Sequence, residues 1–534
     1  MNKQLHIVII GGGTAGWFTA AAFSKFKAFK DVKITLIESP SIPRIGVGES
    51  VTPHIQAFFD ALEVPKHHWM QNSGSTYKYA NRFVDWGNDR PEHFGFTYTN
   101  DIKYLYKETE VTNQSQWKID PSSYRNTDLF IRLLQDKKIN KFDQYFNSQY
   151  HYMEKNVAPW DNDQYLLNPL LSWTQHINAE KCAEYMRDYI AIPNGTEHKQ
   201  CLVKQVVKNG NCIDHLILEN EEIINADLFV DASGWHKVLI KELGWEEKMY
   251  TQAPIDRAIV CQLDYNDPAT EMTNYTETIG QPHGWQFRIG LYHRIGCGYC
   301  FSSSHVSDEK AMEQYLLTTN SNNKRFDPKI IKWTPKRLEK MADGNTVAIG
   351  LSCGFYEPME ANLLYIVVSS IRRLLLTFDN YQKTKVFDFS AFNDKMTYAI
   401  DDIADFIKVH YTLSPRTDTD FWNDMREIGR KENHKDILYQ KYNDDRNTMM
   451  SAQDGWTLFP DYMWLQLATA WKVDISKWSN RTIDNVTYNL GLNYWKNLET
   501  KHHLISGSRE NNYKWMKKNV FNNLLPQEWE EKYL

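Results

Sequence analysis

Residues 6 to 38 constrain the fold more tightly than any other part of this chain. A short apolar run, His6-Ile7-Val8-Ile9-Ile10, leads straight into Gly11-Gly12-Gly13-Thr14-Ala15-Gly16. The run barely alternates between apolar and polar residues, which marks a parallel strand covered on both faces. The stretch from Ala15 to Lys27 reads as a helix, and Ala20, Ala21 and Ala22 are small enough to let it lie close on a sheet. Val32-Lys33-Ile34-Thr35-Leu36-Ile37-Glu38 is a second strand ending on an acid, 22 residues after Gly16. Strand, glycine turn, helix, strand and acid in that order form a βαβ unit suited to a dinucleotide. Gly11 permits the tight turn, Gly13 lets the backbone approach a pyrophosphate, and Gly16 lets helix pack on strand. Thr14 and Ala15 open the helix whose N–H groups and dipole face the phosphates. Glu38 is placed to accept a hydrogen bond from a ribose hydroxyl.

A glycine loop alone does not choose between nucleotides. Leu228-Phe229-Val230-Asp231-Ala232-Ser233-Gly234-Trp235 resembles a second FAD fingerprint, an apolar strand ending in a small-residue turn, and places Asp231 at the cofactor. Asn345-Thr346-Val347-Ala348-Ile349-Gly350 resembles the strand and turn that close over a flavin, with Gly350 at the turn. Ile45-Gly46-Val47-Gly48-Glu49-Ser50-Val51-Thr52-Pro53 is similar to a segment that runs beside a flavin ring, which adds Gly48 and Glu49.

Three further segments make the resemblance specific. Lys78 sits in Ser75-Thr76-Tyr77-Lys78-Tyr79-Ala80-Asn81-Arg82-Phe83-Val84-Asp85-Trp86-Gly87. Glu360 sits in Gly350-Leu351-Ser352-Cys353-Gly354-Phe355-Tyr356-Glu357-Pro358-Met359-Glu360. Gly284-Trp285-Gln286-Phe287-Arg288-Ile289-Gly290 lies between them. Together with Gln175-His176-Ile177-Asn178-Ala179 and Asp405-Phe406-Ile407-Lys408-Val409-His410-Tyr411, these resemble the flavin-dependent halogenases, in particular the tryptophan halogenase family, over most of the chain.

The resemblance implies a mechanism. Reduced FAD, supplied in trans by a separate NAD(P)H-dependent flavin reductase, reacts with dioxygen and halide to give hypohalous acid. The acid passes through an internal tunnel to an electron-rich aromatic substrate such as an indole or phenol. Lys78 hydrogen-bonds it there or carries the halogen as a haloamine, a role suited to a nitrogen whose charge burial can tune. Glu360 orients the acid or takes the ring proton. Trp285 and Phe287 correspond to the paired tryptophans of the family's WxWxIP signature, which keep substrate from the flavin.

The sequence departs from the family at two places. The signature reads Trp-Gln-Phe-Arg-Ile-Gly, and the family's Glu-Ser-Thr-Gly is Glu360-Ala361-Asn362-Leu363. Ala361, Asn362 and Leu363 fall where the family binds halide. The expectation is a site that takes bromide or iodide more readily than chloride, since larger halides are easier to oxidise and to desolvate. A substrate other than free tryptophan is also expected. Two other readings remain open: an FAD-dependent aromatic hydroxylase, and a flavoprotein that turns nothing over.

The expected architecture is α/β, an FAD-binding Rossmann-like core of the flavin monooxygenase type with a mostly helical substrate subdomain. Helical stretches with Trp and Tyr anchors follow residue 362, so a boundary is placed near 375, giving an FAD domain over 1–375 and a helical part over 376–534. The polar, aromatic stretch 100–170 is read as an insertion on the substrate side.

Composition excludes some classes. A net charge of -6 argues against a nucleic-acid partner. Cys297 and Cys300 are spaced CxxC but lie in a strand-like stretch, so neither a metal nor a redox role is expected of them. Seven cysteines in 534 residues do not make a disulfide scaffold. The run Leu363 to Phe378 is interrupted by Arg372 and Arg373, so no membrane span is expected. Reduced thiols and the lack of a recognisable signal segment point to the cytoplasm. A homodimer is the default assembly.

Overall fold

The computed structural model describes residues 4–26, 31–41, 46, 48–87, 91–94, 126–139, 143, 149–159, 173–447, 457–478, 483 and 485–534. The parallel core forms where the sequence places it. His6–Ile10 is the central strand, flanked by Lys33–Glu38 and Leu228–Asp231. Both pairs are parallel, with His6 opposite Lys33 and Ile7 opposite Leu228. Glu197–Gln200 extends the sheet beyond Lys33–Glu38, and Thr346–Ala348 extends it beyond Leu228–Asp231, again in parallel. Ala342–Asp343 closes that edge antiparallel, making six strands. Ile7, Val8 and Ile9 are fully buried, as a strand covered on both faces requires.

The first helix is Thr14–Lys25, and Ala20, Ala21 and Ala22 are completely buried in it. Their small side chains let it pack under the sheet and beside a second helix, Asn362–Thr384. That helix is long and apolar enough to cross a membrane by composition, with a mean hydropathy of 1.4, yet 72% of the window is buried inside the fold. Its apolar face is used in the core, where Phe378 packs edge-on against Phe23 at 5.4 Å. The helix runs continuously through residue 375.

A second sheet has seven strands. Its order is Lys329–Lys332, Arg257–Leu263, Ile295–Phe301, Gly284–Gly290, Tyr275–Gln281, Ala80–Val84, Glu92–Phe94. Most neighbours are antiparallel, while Tyr275–Gln281 and Ala80–Val84 run parallel, with Tyr275 opposite Ala80. A small three-stranded sheet of Glu49–Ser50, Thr174–Ile177 and Thr76–Lys78 abuts it. After residue 384 the described chain is mostly helical, with Ser390–Thr412, Asp420–Lys431 and Asp461–Ala470 packing Phe406, Tyr411, Trp422, Trp464 and Trp471 into the main core.

Cys297 and Cys300 do lie on one strand, Ile295–Phe301. Three residues apart on a strand point to opposite faces, so the pair does not converge. Cys297 instead faces Cys261 across the ladder, with sulfurs 3.3 Å apart, and all seven cysteines are free thiols. Among the described residues, no group of three or more His, Cys, Asp or Glu is placed to hold a metal. Of the expected insertion, only residues 126–139, 143 and 149–159 are described, as short helical pieces and turns. Ile45, Val47, 100–125 and 160–170 lie outside the described residues.

Candidate active site

The glycine turn is shaped by close contacts. Gly11 has φ +115°, and a Cβ there would meet the Ala232 carbonyl oxygen at 2.3 Å. A Cβ on Gly16 would stand 1.9 Å from the Gly11 carbonyl oxygen. Gly13 is different, because a Cβ there would meet nothing within 4 Å. Gly11 and Gly16 thus serve the packing of the turn, whereas Gly13 faces open space at the N-terminus of the first helix.

That space is a cavity of about 520 Å³. Gly11, Gly13, Thr14, Ala15, Glu38, Gly48, Glu49 and Gly350 all line it. The Glu38 carboxylate is held by His198 Nε2 at 2.7 Å. Thr14 Oγ1 donates to the Ala179 carbonyl at 3.2 Å, which ties the helix start to the next structural layer. Burial pushes the Glu49 carboxyl up to about 7. Gly16 and Asp231 do not line the cavity. The Asp231 carboxylate organises the turn that does: it accepts from Ser233 N and Oγ, Leu239 N, Ile240 N and Ser352 Oγ. Ala232, Ser233, Gly234 and Trp235 of that turn form cavity wall.

The cavity continues past the nucleotide turn. Trp285, Phe287 and Ile289 alternate along one strand, so all three side chains face the same way and line it. The Trp285 and Phe287 rings are 6.0 Å apart and tilted by 55°. Glu360, Ala361, Asn362 and Leu363 line it as well. Glu360 and Ala361 both adopt left-handed backbone, at φ 65° and 58°. Consecutive left-handed residues without glycine store strain, and here they reverse the chain into the N-terminus of Asn362–Thr384. The Asn362 amide closes the turn by donating to the Glu357 and Met359 carbonyls at 2.9 and 2.7 Å. The first turn of a 23-residue helix leaves N–H groups without intrahelical partners.

Lys78 stands just behind the wall and is 2% exposed. Its Nζ donates to Ser50 Oγ, which lines the cavity, and toward the Val51 carbonyl at 3.4 Å. Ser50 Oγ also accepts from Thr276 Oγ1 at 2.8 Å, and Thr276 is 2.9 Å from His176 Nε2. Burial lowers the Lys78 amine to about 7, against an opposing pull from the Glu360 carboxylate. Glu360 is 3% exposed, and its Oε2 accepts from Asn81 Nδ2 at 2.8 Å. Strand geometry accounts for the pairing: Lys78 ends one strand, and Asn81 sits in the next, reached through a single residue.

The sequence reading therefore found the acid and the lysine but not their partners. Ser50, Asn81 and His410 lie in segments that resemble the family's and Thr276 does not, but their contacts alone show what these polar residues do. Glu357 was missed as well. It is fully buried, its carboxyl is pushed up to about 8 by burial, and it accepts from the Tyr411 hydroxyl at 2.7 Å.

The chain matches the family model described as tryptophan halogenase over residues 6–485. It is 29% identical over 445 residues to tryptophan 7-halogenase RebH of Lentzea aerocolonigenes, covering 80% of each chain. It is also 29% identical over 446 residues to tryptophan 6-halogenase ThaL of Streptomyces albogriseolus, covering 82% of this chain and 81% of the relative. In fold it resembles a tryptophan halogenase from Shewanella frigidimarina, with a TM-score of 0.82 at 23% identity over 98% and 99% of the two chains. The flavin-dependent halogenase BrvH from Brevundimonas gives 0.78 at 24% identity, over 97% and 99%. With a Rossmann-like cavity leading to a buried lysine and carboxylate, and a family match spanning most of its length, the chain belongs to the tryptophan halogenase family of flavin-dependent halogenases.

Proposed function

We propose that this enzyme halogenates an electron-rich arene such as an indole or a phenol, with Lys78 directing hypohalous acid and Glu360 receiving the ring proton. The observation that carries this reading is one continuous cavity from the glycine turn to Glu360, with the Lys78 amine hydrogen-bonded to the Ser50 hydroxyl in its wall.

FAD fits the first part of the cavity. The open space at Gly13 admits a pyrophosphate at the helix N-terminus, and Glu38 lies where an adenosine ribose would reach. When bound in its reduced form, the flavin supplies the two-electron oxidation of halide by dioxygen. Thr14 and Ala15 would hold phosphate, and Gly350 and Gly48 would flank the ring system. Trp285 and Phe287 form an apolar wall between that part and Glu360, which keeps bulk water and an arene from the flavin. The reduced flavin comes from a separate NAD(P)H-dependent reductase, which such two-component chemistry requires.

Halide is placed at Ala361, Asn362 and Leu363, beside the N-terminus of the long helix. Leu363 adds an apolar branched side chain to that wall, which disfavours the small, strongly hydrated chloride. With equimolar chloride and bromide, brominated product should exceed chlorinated product by about tenfold, a difference of about 1.4 kcal/mol. Leu363→Gly should narrow the ratio. Mass spectrometry of the product mixture reads both values, and a wild-type preference for chloride overturns the assignment.

The function itself is tested by incubating the protein with FAD, a flavin reductase, NADH and bromide, and screening indoles and phenols by mass spectrometry. Brominated arene supports the reading. Hydroxylated arene without bromination would instead make the enzyme an aromatic hydroxylase.

A further inference from the structure

We propose that His410 is the proton-accepting partner of Glu360, a positioning residue that makes the carboxylate a competent base; the inference rests on the halogenase reading. His410 lies in Ser390–Thr412, and neither it nor the Glu360 side chain is exposed at all. Its Nδ1 is 2.9 Å from the Phe406 carbonyl oxygen one turn earlier. A carbonyl can only accept, so Nδ1 carries the hydrogen. In its neutral form the ring presents the lone pair of Nε2, and that atom faces Glu360 Oε1 at 3.5 Å.

In that form both facing atoms are acceptors. Neither Nε2 nor Oε1 has a hydrogen-bond partner among the described residues. The other carboxylate oxygen is already occupied by the Asn81 amide. A buried pair of this kind is incomplete by one proton, and the arene supplies it. Glu360 lines the cavity and His410 does not, so the imidazole stands behind the carboxylate as seen from the substrate.

The surroundings hold the ring in that orientation. Phe83 stacks on it at 5.1 Å and 26°, and Phe94, Phe406 and Trp471 enclose it at 5.3, 4.9 and 6.2 Å. These neighbours come from the strands Ala80–Val84 and Glu92–Phe94, from its own helix, and from the end of Asp461–Ala470. All are uncharged, as is Trp86 at 6.4 Å. Among the described residues, Glu360 is the ionisable side chain that faces the ring.

The step balances as follows. Halogen transfer forms a carbon–halogen bond and leaves a cationic ring. The C–H bond at that carbon breaks, and its electron pair restores the aromatic system. The proton goes to Glu360 Oε1 and on to His410 Nε2, leaving an imidazolium beside a carboxylate. That ion pair draws the two atoms together, and the proton returns through Glu360, which lines the cavity, to water entering as product leaves.

The test is an isotope effect, which a purely structural role would not move. Wild type, His410→Phe and His410→Gln are compared on indole and ring-perdeuterated indole, with bromide, FAD and a reductase. Phenylalanine preserves the aromatic packing, and glutamine preserves polarity but cannot accept a proton. In wild type, proton loss follows halogen transfer rapidly, and the isotope effect is expected near unity. In both variants it should rise to about 2 or more, and brominated indole per trapped hypobromite should fall by about ten- to a hundredfold, less than the roughly hundred- to ten-thousandfold of losing a general base outright, because Glu360 is retained. Folded variants with wild-type product ratios and no isotope effect would overturn the role of His410. Absence of trapped hypobromite from the wild type would instead overturn the halogenase reading beneath it.

Discussion

Lys78→Ala should lower arene halogenation by about a hundredfold or more, the lower end for removing a group that acts in the transition state. Hypobromite formed in the flavin part of the cavity should then escape and appear on a small-molecule trap. The argument rests on burial. An ordinary lysine is an ammonium at neutral pH, since its reference value is about 10.4. Lys78 is almost fully enclosed, and enclosure lowers it to about 7 although the Glu360 carboxylate pulls the other way. Near neutrality the nitrogen is therefore available both as an ammonium that donates and as a free amine that can carry halogen. The sign for the second role is definite. The free-amine fraction grows as pH rises through about 7, so haloamine-mediated transfer should rise through that value and level off above it. The ratio of brominated arene to trapped hypobromite, followed across this range, reads the limb directly. A ratio that falls instead would assign the ammonium, and hydrogen-bonded hypohalous acid, as the working form. Lys78→Arg separates the cases further, because a guanidinium keeps the charge and cannot become a free nucleophile. It should be as inactive as alanine under the haloamine mechanism.

Much of this site was legible in the sequence because the chemistry of a nucleotide turn is local. Gly11, Gly13 and Gly16 lie within six residues of one another; Gly11 and Gly16 answer to a steric demand, and Gly13 leaves open space at the helix start. The strand Lys33–Glu38 and the helix Thr14–Lys25 follow from periodicity, with ends shifted by one or two residues from those expected. Glu360 and Lys78 were legible for a different reason, since each sits in a motif that resembles a family's. Their surroundings were not. Asn81 reaches Glu360 across 279 residues of chain, and Ser50 meets Lys78 across 28. His410 lies in a segment that resembles the family, Asp405 to Tyr411, but its sequence position assigns it no role, and the Phe406 carbonyl and the facing carboxylate give it one. The long helix Asn362–Thr384 was partly legible: Arg372 and Arg373 argue against a membrane span in sequence, and packing against Thr14–Lys25 shows where its apolar face goes. Asp231 shows a side chain acting at one remove from where its motif is expected to work. The fingerprint is expected to meet a cofactor with Asp231, yet the carboxylate points into the protein and holds from behind a turn that lines the cavity.

That arrangement leads to the second large effect. Asp231→Ala should destabilise the protein by about 3–5 kcal/mol, the cost of stripping buried donors of a charged partner. The carboxylate is fully buried and divides its work between its oxygens. Oδ1 accepts from Ser233 N at 3.0 Å, Ser233 Oγ at 2.6 Å and Ser352 Oγ at 3.0 Å. Oδ2 accepts from Leu239 N at 2.8 Å and Ile240 N at 3.1 Å. Alanine removes the acceptor from all five donors, and three of them, the N–H groups of Ser233, Leu239 and Ile240, are backbone groups that cannot turn away. Asparagine should be milder. Its oxygen can replace Oδ2, and its amide then faces hydroxyls that can rotate to accept, with only Ser233 N left opposed. FAD affinity should fall along with stability in both variants, because Ala232 to Trp235 form cavity wall and lose the group that fixes them. Urea unfolding of the FAD-free protein and fluorescence titration with FAD measure the two quantities separately. A variant of unchanged stability that no longer binds FAD would mean that the carboxylate touches the cofactor itself. A variant destabilised in proportion to its lost affinity would place Asp231 where the hydrogen bonds do, behind the turn and out of the cavity.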